Sequence, residues 1–62
     1  MESTILNLLT RDGMVSVEFT PPLENEHYTL LYLVTQEAST ADDMREAITV
    51  AASGWSRKVR FL

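Results

Sequence analysis

The chain reads as a small α+β domain, a β-β-β-α-β arrangement in which one helix packs on one face of a four-stranded, mostly antiparallel sheet. Three observations predict it. An Asp12-Gly13 pair lies between two alternating apolar stretches, residues 27–35 form a run rich in aromatic and β-preferring side chains, and a hydroxyl-capped amphipathic segment from Ser39 to Gly54 precedes a short alternating tail. The 62 residues contain no repeat, linker or low-complexity tract, so residues 1–62 are read as a single domain.

The first element is a hairpin. Asp-Gly favours the positive φ angles of a type I′ turn, and a two-residue loop at Asp12-Gly13 sets Arg11 opposite Met14, Thr10 opposite Val15, Leu8 opposite Val17 and Leu6 opposite Phe19. That register gathers Leu6, Leu8, Val15, Val17 and Phe19 on one face of strands at about 4–10 and 14–20. A short helix capped by Ser3, with Ile5, Leu6, Leu8 and Leu9 along it, is an alternative for the first segment.

Pro21-Pro22 ends the second strand, and Leu23-Glu24-Asn25-Glu26 reads as a polar connection. Residues 27–35 are predicted as the third strand, with Tyr28, Leu30, Tyr32 and Val34 on one side and Thr29, Leu31, Leu33 and Thr35 on the other. Two apolar sides imply a central or doubly covered strand. Next, Ser39-Thr40 followed by Asp42 and Asp43 is a helix start, because a hydroxyl and acids satisfy and complement the free amides of the first turn. Ala41, Met44, Ala47 or Ile48, Ala51 and Trp55 recur at helical spacing, and Gly54 marks the end. The tail from Arg57 to Leu62 alternates as a closing strand, separated from the third by enough chain for a parallel crossover.

Composition excludes several functions. The absence of Cys removes disulfides, thiol catalysis and thiolate metal sites, and one His makes no metal centre alone. With two glycines and no phosphate-binding motif, nucleotide chemistry has no support. The carboxyl pairs Glu24/Glu26 and Asp42/Asp43 fall in a loop and at a helix start rather than in an apolar pocket, and His27 has no evident nucleophile or orienting acid. The chain is therefore read as non-enzymatic and without cofactor or metal. No apolar run approaches the length of a membrane helix and the opening Met-Glu-Ser-Thr lacks a basic leader, so a soluble, cytoplasmic, untargeted protein is expected.

The formal charge of −4 is segregated: residues 1–46 carry all nine acids against Arg11 and Arg45, a balance of −7, whereas residues 47–62 carry Arg57, Lys58 and Arg60 and no acid, a balance of +3. Three clustered cations do not make a nucleic-acid surface, so no direct nucleic-acid contact is expected. Two protein-binding candidates follow. One is the basic end, Arg57, Lys58 and Arg60 beside Trp55, residue types enriched at interface hot spots, although Trp55 also suits a plug between helix and sheet. The other is the sheet face that one helix leaves bare, showing Ile5, Leu9, Met14 and one side of the third strand, either Leu31 with Leu33 or the set containing Tyr28 and Tyr32. A patch of that size predicts a homodimer or a dedicated protein partner.

Between Tyr28 and Arg60, the residues Thr40, Asp42, Gly54, Trp55, Lys58 and Arg60 give a pattern that resembles the small acidic inhibitors of host RNA polymerase made by T7-type phages. The spacing from Trp55 to the basic pair differs, and the N-terminal hairpin lies outside the likeness. The resemblance implies a phage or mobile-element accessory protein that modulates a larger macromolecule by surface binding. A structural or assembly subunit, for example a small virion component using the bare sheet face, is the alternative.

Overall fold

Alternation builds the first half of the molecule. In the computed structural model, which describes residues 2–62, β1 (Thr4–Thr10) and β2 (Gly13–Thr20) form an antiparallel hairpin, and β3 (Lys58–Phe61) adds antiparallel to the other side of β2. Two helices, α1 (Asn25–Thr35) and α2 (Ala41–Ala52), lie between β2 and β3 in the chain. The order β-β-α-α-β and the three-stranded sheet β1-β2-β3 replace the expected four strands and single helix, while the α+β class stands. The closing strand pairs antiparallel to its neighbour, so there is no parallel crossover among the described residues.

The hairpin has strands where alternation places them, and the first segment is strand rather than helix, but its register differs from expectation. Thr10 pairs with Gly13, Leu8 with Val15 and Leu6 with Val17, so Arg11 and Asp12 occupy the loop. Neither residue has positive φ, which excludes a type I′ turn, and the unusual φ of +148° falls on Gly13. The pairing differs by two residues, an even number, so every side chain keeps the face predicted for it.

Residues 27–35 are the largest correction. They belong to α1, whose His27, Leu31 and Val34 point inward at helical spacing, with His27 and Leu31 buried and Val34 half-buried. Strand preference is a weak, context-dependent term, and leucine serves a helix well. The stretch read as a connection is the helix start: Leu23 is buried just before it, Glu26 sits in the first turn, and His27 Nδ1 accepts the Glu24 N–H at 2.9 Å. For α2, Thr40 Oγ1 accepts the Asp43 N–H at 3.1 Å as the N-cap, as its sequence predicts. A second cap comes from the hairpin loop. Asp12 Oδ1 accepts the Ala41 N–H at 2.8 Å, and the Arg11 N–H reaches the Ser39 carbonyl at 2.8 Å.

The core lies between one sheet face and the helices. Val15, Val17 and Phe19 from β2 meet Leu31 from α1 and Met44, Ile48 and Ala52 from α2. Leu6 and Leu8 from β1, Val59 and Phe61 from β3 and Trp55 close its edges. The opposite sheet face carries no helix among the described residues and holds Ile5, Asn7, Leu9, Met14, Ser16 and Glu18.

Candidate protein-binding surface

The predicted basic end does not form one surface. Trp55 is half-buried, with its ring 4.6 Å from His27 and 6.2 Å from Phe19, measured between centroids. It joins the C-terminal side of α2 to the start of α1 and to the sheet. Arg57 is also half-buried, and its guanidinium donates to the carbonyls of Pro22 and Trp55, each at 3.1 Å. Two backbone segments are tied together by that side chain, which consumes donors a partner would otherwise use. Lys58 and Arg60 are exposed on the helix-free sheet face. Leu31 and Leu33 also part: Leu31 is in the core and Leu33 is 58% exposed, because two positions that share a side of a strand lie on nearly opposite sides of a helix.

The helix-free sheet face is less apolar than expected. Ile5, Leu9 and Met14 are exposed there, as predicted, but the centre is polar. Ser3 donates to Glu18 Oε2 at 2.9 Å, Arg60 approaches Glu18 Oε1 through Nε at 3.1 Å and through its terminal nitrogen at 3.0 Å, and Ser16 donates to Asn7 Oδ1 at 2.6 Å.

The Ser3 hydroxyl, and then the Arg60 guanidinium, hold the Glu18 carboxyl below its ordinary value of 4.5. At the other end of the hairpin, the Ala41 N–H and then the Thr10 hydroxyl hold Asp12 below its ordinary 3.8. A carboxylate whose folded value is lowered stabilises the fold at all pH above its unfolded value and loses that contribution as protonation reaches the lower folded value. The contribution of these two carboxylates is therefore expected to be constant above about pH 5 and to fall below about pH 4. Urea melts across that range check it, and Glu18→Gln is expected to make the fall shallower. An equal fall in wild type and variant would remove Glu18 from the account.

The helical layer holds a concavity. A groove of about 550 Å³ runs between α1 and α2, with Leu30 and Val34 on one wall and Ala47, Val50 and Ala51 on the other. Glu37, Asp43 and Glu46 also line it, and no Lys or Arg does. None of these three carboxylates has an ion-pair partner among the described residues, where Arg45 pairs with Asp42 and Arg60 with Glu18. Val50 is 67% exposed at the groove, and Tyr28, Tyr32 and Leu33 extend apolar surface over α1. Sequence reading missed this feature because it assigned the wall formed by Leu30 and Val34 to a sheet. The available signal was the acid clustering at 37–46 beside alanines and Val50.

His27 spends Nδ1 on the start of α1 and its ring face on Trp55, and no group of three or more His, Asp or Glu among the described residues is placed to hold a metal ion. No helix among the described residues is long and apolar enough to cross a membrane. Set against protein-family models, curated proteins and solved structures, the chain matches none of them.

Proposed function

We propose that the chain is a non-enzymatic protein-binding module that modulates a larger partner by seating an apolar, positively charged segment of it in the groove between α1 and α2. The observation that carries this reading is the combination of an apolar floor with three carboxylates that lack cations of their own. An apolar anchor gains by leaving water, and surrounding Lys or Arg gain charge complementarity and faster encounter. An amphipathic helix laid in a groove meets both requirements. In this reading Trp55 and Arg57 serve as scaffold, so the class of function expected from the sequence is kept while its location moves to the helices.

A synthetic amphipathic helix of Leu and Lys, labelled with a fluorophore, is the probe. Wild type is expected to bind it with an affinity that weakens as salt rises, and a Leu/Glu helix is expected not to bind. Val50→Asp separates groove from bulk charge. It adds a negative charge yet removes the apolar seat, so it is expected to weaken binding about tenfold or more, a change of about 1.4 kcal/mol. Unchanged or tighter binding by folded Val50→Asp would overturn the groove reading.

A further inference from the structure

The two edges of the sheet are built differently. β3 is four residues long and places Lys58 and Arg60 at its edge, the usual protection against pairing with another chain. β1 is seven residues long, Thr-Ile-Leu-Asn-Leu-Leu-Thr, with no charge, proline or glycine. It is the other edge of the sheet, with β2 on one side only.

The hydrogen-bond phase says which groups β1 leaves open. Ser16 gives its carbonyl to the Leu62 N–H at 2.9 Å, on the β3 side of β2. Opposite residues in antiparallel strands alternate between pairs that exchange both backbone bonds and pairs that exchange neither. Asn7, opposite Ser16, is thus in a non-bonded pair, as are Ile5 opposite Glu18 and Leu9 opposite Met14. The N–H and C=O groups of Ile5, Asn7 and Leu9 face outward, and none has another backbone partner among the described residues.

We infer that β1 pairs antiparallel with β1 of a second copy about a two-fold axis at Asn7, joining two three-stranded sheets into one of six strands. The occupant follows from the symmetry of the strand. Centred on Asn7, Thr4 meets Thr10, Ile5 meets Leu9 and Leu6 meets Leu8 of the other copy, so every position faces one of its own class. The register aligns the outward groups of Ile5, Asn7 and Leu9 with those of the partner, forming six backbone hydrogen bonds. Ile5 and Leu9 form cross-strand apolar pairs on the helix-free face, and Leu6 and Leu8 extend the two cores toward each other. An isologous contact requires this self-complementarity. Charge agrees: each copy carries −4, and β1 contributes none of it, so raised salt screens the repulsion between copies without weakening the contact.

Sedimentation equilibrium from about 10 µM to about 1 mM tests the pairing, since a single strand edge makes a small, weak interface. Wild type is expected to rise from 7.0 kDa toward twice that mass, and to do so at lower concentration when salt is raised. Asn7→Pro removes an outward N–H and no β1–β2 backbone bond, although it also removes the Oδ1 that accepts from the Ser16 hydroxyl, and Leu9→Lys places a charge at the edge. Both are expected to stay monomeric with an unchanged circular dichroism spectrum. Should Asn7→Pro unfold, Leu9→Lys alone decides. Val50→Asp is expected to associate like wild type, which keeps this result separate from the groove. A wild type that remains monomeric throughout, or a folded Leu9→Lys that associates like wild type, overturns the pairing.

Discussion

Phe19→Ala is expected to leave the chain largely unfolded at 25 °C. Phe19 is fully buried on the central strand, between Thr4 of β1 and Val59 of β3, with its ring against Trp55. Truncating a buried phenylalanine costs about 3–5 kcal/mol through lost transfer energy and the cavity left behind. A domain of this length has roughly 3–9 kcal/mol in total, and a small core has few neighbours able to close the gap. Urea titration followed by circular dichroism checks this: wild type should unfold cooperatively and the variant should show little or no native baseline. Leu9→Ala, a loss of apolar side chain at a position 78% exposed, is the control and should stay within about 0.5 kcal/mol of wild type. Similar midpoints for both variants would mean that the core is not where Phe19 lies.

Trp55→Ala and Arg57→Ala are expected to damage stability and leave peptide affinity intact. Trp55 fills the seam between α1, α2 and the sheet, so its removal should cost roughly 2–4 kcal/mol, less than a fully enclosed tryptophan because it is only half-buried. Arg57 supplies two charge-assisted hydrogen bonds to backbone carbonyls, and its loss should cost about 1–2 kcal/mol given its partial exposure. Lys58→Ala, exposed next door, should change stability by less than about 0.5 kcal/mol. Urea midpoints and Leu/Lys helix binding, compared at a temperature where every variant is folded, separate scaffold from contact. A folded Arg57→Ala with wild-type stability and lost binding would return the interface to the basic tail.

These contrasts also mark how far side-chain pattern carries. Val15, Val17 and Phe19 alternate with Ser16, Glu18 and Thr20, so the hairpin's inner face was legible even with the turn placed one residue too late. The Ser39-Thr40 start and the Ala41, Met44, Ile48 spacing made α2 legible in the same way, although the buried alanine of its last turn is Ala52 rather than Ala51. α1 was not, because Tyr28, Tyr32 and Leu33 put large apolar groups on its solvent side and hide the inward spacing of His27, Leu31 and Val34. Its β-preferring residues then argued for a strand, and a fourth strand was counted where a second helix forms. The same error paired Leu31 with Leu33 and concealed the groove. Arg57 failed for a different reason. Its partners are carbonyl oxygens of Pro22 and Trp55, and no pattern of side chains encodes which backbone groups a fold will bring to an arginine.

An exposed two-residue turn is ordinarily where a chain best accepts inserted sequence, yet here the Arg11-Asp12 turn is a poor place to add residues. Its backbone N–H and carboxylate are fixed to Ser39 and Ala41, so its length is set by a helix that begins 29 positions later. Lengthening it would uncap α2 as well as loosen the hairpin. Two solvent-facing segments, far apart in the chain, are thereby held to one joint geometry, and an insertion or deletion in either is felt by both.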